Sequence, residues 1–207
     1  MARASREQAE KHREQIVEAA SRLFRERGLD GVSVPDLMGA AGLTHGGFYG
    51  HFSSKDALAA LACAAGFDQF TDRIDQSMAR HSDDAEGARQ EVLSNYLSAA
   101  HRDNPALGCM TAALSIDVAR SGDDSAVRKA YTAGVRKTID ELARLSPVRD
   151  DDADAAQSDA LATMALMVGT ILMARATKGD PLSDAIIEAA RQRLQVAPAS
   201  AVPPDEA

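Results

Sequence analysis

A chain of 207 residues, 45% hydrophobic and 26% charged, is long enough to bury one sizeable core or to join a small module to a larger one. Aromatic residues make up 4%, Trp is absent, and Ala, Leu, Arg, Glu and Met dominate where strands would favour Val, Ile, Tyr and Thr, so an all-α fold is expected. The net charge of −8 excludes a uniformly basic nucleic-acid binder, but residues 1–60 hold 8 Lys/Arg and 8 Asp/Glu while residues 61–207 hold 15 and 23. A neutral head on an acidic body, with Arg3, Arg6, Lys11 and Arg13 clustered at the start, permits DNA binding at one end.

In chain order, Ile16, Ala19, Ala20, Leu23 and Phe24 recur at i, i+3, i+4, i+7 and i+8 and predict an amphipathic helix that Gly28 ends as its C′ residue. Two short helices follow. Ser33 is an N-cap with Pro35 in the first turn and Asp36 at N3, a variant of the capping box, and Leu37, Met38 and Ala41 form the apolar face. Gly42 breaks the chain, Leu43 plugs the core, and Thr44 caps a second short helix running to about Phe52. Ser53-Ser54-Lys55-Asp56 starts a fourth helix that carries Leu58, Leu61, Ala62 and Ala65 and continues to about Met78. Beyond it, helices are expected near 84–102, 107–120, 124–145, 153–178 and 181–195, separated by acidic, Gly and Pro punctuation. Residues 197–207 have no apolar period and are expected to form a disordered tail.

No apolar h-region follows the polar first fifteen residues, and the longest apolar stretch, 160–174, is shorter than a bilayer span. A cytoplasmic protein with no membrane partner is therefore expected. Two distant cysteines form neither a disulfide framework nor a metal site, and no cofactor or metal is implied.

Two short helices around a glycine turn are the pattern of a helix-turn-helix, whose second helix reads base edges in the major groove. Ala40, Ala41 and Gly42 allow the close crossing, and Thr44, His45, Gly46, Gly47, Tyr49 and His51 keep the outward face polar or very small. The run from Ile16 to Leu61, IVEAASRLFRERGLDGVSVPDLMGAAGLTHGGFYGHFSSKDALAAL, resembles the DNA-binding domain of the TetR family of bacterial regulators, including its AcrR-like members. The resemblance spans roughly residues 12–62 without gaps; the remainder is similar only as an all-helical body of matching length.

The resemblance implies an N-terminal three-helix domain over 1–55 and a helical ligand-binding and dimerisation domain over 56–196. It implies that Ser33 and Thr44 donate to phosphate, that His45, Gly46 and Gly47 face the major groove, and that Tyr49, His51 and Lys55 reach phosphates. Arg3 and Arg6 would reach the neighbouring minor groove. Two glycines in a reading helix cost about 1 kcal/mol each in propensity, which close DNA contact explains better than packing does. Phe48 and Phe52, four apart, are expected in the core.

In the body, Met164, Val168, Ile171 and Leu172 with Ile186, Ala189, Ala190 and Leu194 are the expected homodimer face, because a helix apolar nearly all round must be covered on two sides. Phe67, Phe70, Tyr96, Cys109, Met110, Tyr131 and Met167 are candidates to line a small-molecule effector site, although each could simply fill core. Cys63, among alanines, is expected to be core. Cys109 opens a helix whose dipole would favour a thiolate, and some regulators of this type carry a sensing cysteine.

The function expected is a ligand-responsive regulator, a repressor by family habit, that binds a palindromic double-stranded operator as a homodimer and is released by a small molecule. The alternatives are a redox- or electrophile-sensing regulator using Cys109, and a helical partner-binding dimer without DNA binding. An enzyme is disfavoured: the sequence suggests no catalytic grouping, metal-ligand spacing or phosphate loop after a strand. Outward Thr44, His45, Gly46 and Gly47 also lack the large apolar anchors of a protein-binding helix.

Overall fold

The computed structural model describes residues 2–82, 84–148 and 152–196, with the side chains of 2–6 and of residue 45 outside the description. Arg3 and Arg6 therefore lie outside the described side chains, and the expected tail at 197–207 outside the described residues. Every regular element among the described residues is helical: α1 (Ala2–Arg27), α2 (Val34–Ala40), α3 (Phe48–His51), α4 (Lys55–Arg80), α5 (Ala85–Tyr96), α6 (Ala99–Asp103), α7 (Met110–Arg120), α8 (Ala126–Arg144), α9 (Ala153–Ala176) and α10 (Pro181–Arg193). Single 3₁₀ turns cover His45–Gly47 and Pro105–Leu107.

Two compact units divide the described residues, the first drawn from within 1–72 and 104–138 and the second from within 73–103 and 139–207. In the first, the α1 stripe of Ile16, Ala20 and Phe24 packs with Val32, Leu37, Met38, Phe48 and Phe52, and with Leu58, Ala62, Cys63 and Phe67 of α4. Met110, Leu114 and Val118 of α7 and Val127 of α8 close that core. Arg25, buried in α1, donates to the Ser21 carbonyl, the Ser21 hydroxyl, the Gln69 amide oxygen and the Gly108 carbonyl, all at 3.0–3.1 Å.

The second unit is built around α9, which carries Ala160, Thr163, Met164, Met167, Thr170, Ile171 and Ala174 inward and packs on α10 and α6. Arg175 of α9 donates to the carbonyls of His101 and Arg102, and Ser183 of α10 donates to the Ala174 carbonyl. At 24 residues, with an 18-residue window of mean hydropathy 1.4, α9 is by length and composition able to cross a membrane, contrary to the expectation from residues 160–174 alone. The polar residues that flank the apolar run are helical too, which lengthens the element beyond the stretch the sequence marks.

Two expected helices have other bounds. The segment expected as one helix over 84–102 breaks at Leu97, where Ser98 accepts the His101 N–H through its hydroxyl and starts α6 afresh. The helix expected from 107 begins instead at Met110, because Pro105–Leu107 forms its own 3₁₀ turn.

Candidate nucleic-acid interface

The interface candidate is built upward from two caps. Ser33 is extended (φ −90°, ψ 162°); its hydroxyl oxygen accepts the Asp36 N–H at 3.3 Å, and Asp36 accepts the Ser33 N–H at 2.8 Å, a complete capping box. The Ser33 hydroxyl also donates to the Asp36 carboxylate. These side-chain and backbone bonds from Ser33 hold the Asp36 carboxyl below its ordinary range. The hydroxyl expected to donate to phosphate is thus already engaged within the cap in the protein alone.

At the other end of α2 the Leu43 N–H reaches the Met38 carbonyl at 2.8 Å and the Gly42 N–H reaches the Gly39 carbonyl at 3.0 Å. Gly42 sits at φ +71°, where a side chain is disfavoured. These two bonds make a Schellman stop, with Leu43 packed against the core beside Met38.

Thr44 is exposed and stands before the 3₁₀ turn, where its carbonyl accepts the Gly47 N–H at 3.2 Å. The continuous helix expected from Thr44 to Phe52 is divided. Gly47, not Thr44, is the N-cap of α3, and no side chain caps it. The adjacent Gly46 and Gly47 weaken helical continuation, so the tighter turn takes over before Phe48.

Phe48 and Phe52 are buried with ring centroids 5.6 Å apart and anchor α3 from below. Tyr49 points the other way and is 72% exposed, while a Cβ added at Gly46 or Gly50 would meet nothing within 4 Å. Packing therefore does not explain glycine at those two positions. The His45 side chain lies outside the described residues.

His51 is half-buried, and its carbonyl accepts from Arg13 at 2.6 Å. The same guanidinium lies 4.7 Å from the Phe52 ring centroid, so Arg13 ties α1 to the end of α3. Nothing in the spacing of Arg13 marks this, and its place in an N-terminal basic cluster suggests a DNA contact instead. Lys55 opens α4, whose N-terminus Ser54 caps by accepting the Ala57 N–H at 3.0 Å. Its ammonium donates to the Leu29 carbonyl at 2.5 Å, and the Leu29 N–H donates to Asp117 Oδ2 at 2.7 Å. Both polar groups of one peptide residue are therefore pinned by side chains of opposite charge from α4 and α7. Asp117, which the sequence did not single out, is the residue on α7 that holds the loop leading into the helix-turn-helix.

The seven candidate effector residues divide between the two units. Phe67, Phe70, Cys109, Met110 and Tyr131 belong to the first, and Tyr96 and Met167 to the second. Phe67 and Tyr131 stack edge to face at 5.7 Å, and the Tyr131 hydroxyl bonds Ser115 at 2.8 Å; burial raises that phenol's pKa. A Cβ at Gly134 would fall 2.1 Å from the Phe67 ring, and one at Gly66 would fall 2.1 Å from Met110 Cε. Two glycines thus let Phe67 and Met110 fill core rather than line a space. Cavities of about 300, 410 and 460 Å³ are lined by none of the seven.

Cys63 is fully buried, which pushes its thiol up to about 12, and Cys109 is half-buried at the N-cap of α7. Of the eight residues expected on the dimer face, Met164 and Ile171 lie inside the second unit because α9 turns 160, 164, 167, 171 and 174 inward, and Ala190 is buried on α10. Val168, Ile186 and Leu194 are half-buried, while Leu172 and Ala189 are exposed. Leu161, Met173 and Leu182 add to the exposed apolar surface at 51%, 53% and 54%.

Residues 16–62 match the family described as bacterial regulatory proteins, tetR family. The transcriptional repressor DhaR of a Mycobacterium species is 28% identical over 111 residues, 54% of each chain. The transcriptional regulator TtgR of Pseudomonas putida is 41% identical over 58 residues, 28% of each chain. The chain thus matches about half, or less, of the length of these relatives. The reduced form of Escherichia coli NemR superposes with a TM-score of 0.71 at 18% identity, covering 88% of this chain and 96% of that one. A TetR-family regulator from Agrobacterium tumefaciens gives 0.71 at 21% identity, covering 89% and 98%. These similarities extend the likeness of fold over most of the chain.

Proposed function

We propose that this chain is a TetR-type transcriptional regulator, a ligand-responsive repressor that binds a palindromic operator as a homodimer, one half-site per subunit, and leaves it when a small molecule binds; the match of residues 16–62 supports this reading. The observation that carries this reading is the outer face of the helix-turn-helix. Thr44, Gly46, Tyr49 and Gly50 form a low, polar, exposed surface along the 3₁₀ turn and α3, anchored by two buried phenylalanines. Glycine at open positions costs helix stability without serving the core, and close approach to a duplex makes use of it.

In this reading His45, Gly46 and Gly47 lie along base edges, and Thr44, Tyr49 and His51 bond phosphates. Ser33 and Lys55 sit beside the backbone. Lys55 keeps two of its three N–H donors beyond the one used on Leu29. The homodimer forms through the outward faces of α9 and α10, where Leu161, Leu172, Met173 and Leu182 would otherwise stay in water. The effector shifts the chain toward a state whose two heads no longer match the half-site spacing, which requires it to discriminate between the same two states as DNA does.

The test is a footprint of the DNA flanking the chain's own gene, with the parent protein and with Thr44→Ala combined with Tyr49→Ala. A symmetric protected site that disappears in the variant, with unchanged helix content, supports the reading. Protection that persists in the variant contradicts the assignment of this face.

A further inference from the structure

We infer that a cavity of about 410 Å³ in the second unit is a binding site for a small amphipathic carboxylate, with Arg89 as its anchor. Arg89 lies on α5 among Ala88, Val92 and Leu93, and only 8% of it remains exposed. A guanidinium carries five N–H donors in a fixed fork. Among the described residues one of them has a hydrogen-bond partner, the Leu194 carbonyl at a long 3.3 Å. Glu86, one turn back, stands 3.9 Å away, outside hydrogen-bond reach, and its Oε1 already accepts from Gln90 at 2.6 Å. Arg89 nevertheless lines the cavity, so a deeply buried cation presents unused donors to a space large enough for a ligand.

The lining selects among anions. Arg193 brings a second guanidinium from α10, and Leu166, Leu194 and Pro147 supply an apolar wall. Glu86 and Asp159 also line the space, with Asp159 accepting from Ser146 at 2.9 Å. Two carboxylates offset the two arginines, which disfavours a dianion such as phosphate, while the unused donors of Arg89 suit a single negative charge held by hydrogen bonds. A planar carboxylate matches the fork of Arg89 in a bidentate pair, and an alkyl or aryl body matches the wall. Leu194, placed on the dimer face by the sequence pattern, also lines this cavity. The site does not depend on the operator-binding reading and is assayed without DNA, so either can fail while the other stands.

The test is calorimetric titration of the full chain with sodium octanoate, octanol and octylamine. Octanoate should bind, octanol should bind roughly tenfold or more weakly because it lacks the bidentate pair, and octylamine should not compete. Arg89→Gln should weaken octanoate by roughly tenfold or more and leave octanol unchanged. Because Arg89 is buried, Arg193→Gln on the exposed rim is the second variant; it should weaken octanoate severalfold with no change in thermal midpoint or in oligomeric state by light scattering. Absent octanoate binding, equal affinity for octanoate and octanol, or octanoate affinity untouched by Arg193→Gln in a folded protein would each overturn the assignment.

Discussion

Tyr49 is exposed on a helix whose neighbouring aromatic rings are buried, and its ring meets Phe48 edge to face at 5.2 Å. The hydroxyl is therefore presented outward from a ring braced on one side by Phe48. If it bonds a phosphate, Tyr49→Phe removes one charge-assisted hydrogen bond and should weaken operator binding by roughly tenfold while leaving the melting temperature unchanged. Equal affinity of the two proteins in a filter-binding titration would remove Tyr49 from the interface.

The two cysteines differ in burial, and that difference is measurable. Cys63 is fully buried and its thiol is pushed up to about 12, while Cys109 is half-buried. One thiol per chain should react rapidly with a disulfide reagent in the native protein and both after unfolding. Two rapid equivalents in the folded state would contradict the burial of Cys63.

His101 couples the second unit to pH. Burial, and then the cations of Arg175 and Arg73, lower its pKa to about 4, although its Nδ1–H donates to the Tyr96 carbonyl at 2.7 Å. A histidine whose folded pKa lies below its unfolded value takes up its proton more readily when unfolded, so stability is present above the unfolded value and falls on acidification. With an unfolded value near 6.5, the loss from about pH 7 to about pH 5 is roughly 2 kcal/mol. Urea midpoints should drop accordingly in the parent protein and much less in His101→Asn. A parent midpoint that is flat over this interval would mean that His101 is not buried neutral.

At the scale of elements, the helix-turn-helix depends on two glycines in the left-handed region. Gly42 has open space around its missing side chain, so Gly42→Ala should cost only the backbone strain, about 1–2 kcal/mol. Gly28 has the same φ of +71°, but a Cβ there would fall 2.7 Å from Asp117 Oδ2, the oxygen that holds the Leu29 N–H. Gly28→Ala should therefore destabilise more than Gly42→Ala in denaturant melts. Equal losses would mean that the Asp117 clamp contributes nothing to stability.

Which parts of these elements could be read from residues alone follows from how local their causes are. The α1 stripe, the Ser33 cap, the stop at Gly42 and the burial of Phe48 and Phe52 rest on neighbours within a turn or two, and each was legible. The split before Phe48 was not read, although Gly46 and Gly47 carried its signal, because their cost was assigned to DNA contact within a continuous helix rather than to a 3₁₀ turn. The break at Leu97 had a signal in Ser98, a good cap that the surrounding alanines obscured. The contacts of Arg13 with His51, and of Asp117 and Lys55 with Leu29, join residues far apart in sequence and left no local trace. For α9, apolar residues occur on every side, so the inward stripe through Met164 and Ile171 could not be told from the outward one through Leu161 and Leu172.

For the whole molecule, the match of residues 16–62, the helical elements and the exposed face of the helix-turn-helix all support the DNA-binding regulator proposed above. The overall −8 charge does not oppose this, since the surplus acid resides beyond residue 60. If α9 and α10 form the dimer face, Leu161→Glu with Leu172→Glu should yield a monomer by light scattering and abolish tight operator binding. A variant that stays dimeric would place the interface elsewhere.

The most direct measurement is a fluorescence-anisotropy titration of the purified chain against the DNA flanking its own gene, beside a scrambled duplex, over a series of salt concentrations. An operator-reading dimer predicts nanomolar affinity for the first DNA, far weaker binding to the second, and a steep loss with salt of about 0.9 log units per log unit of salt for each phosphate neutralised. Weak and equal binding to both duplexes would contradict it.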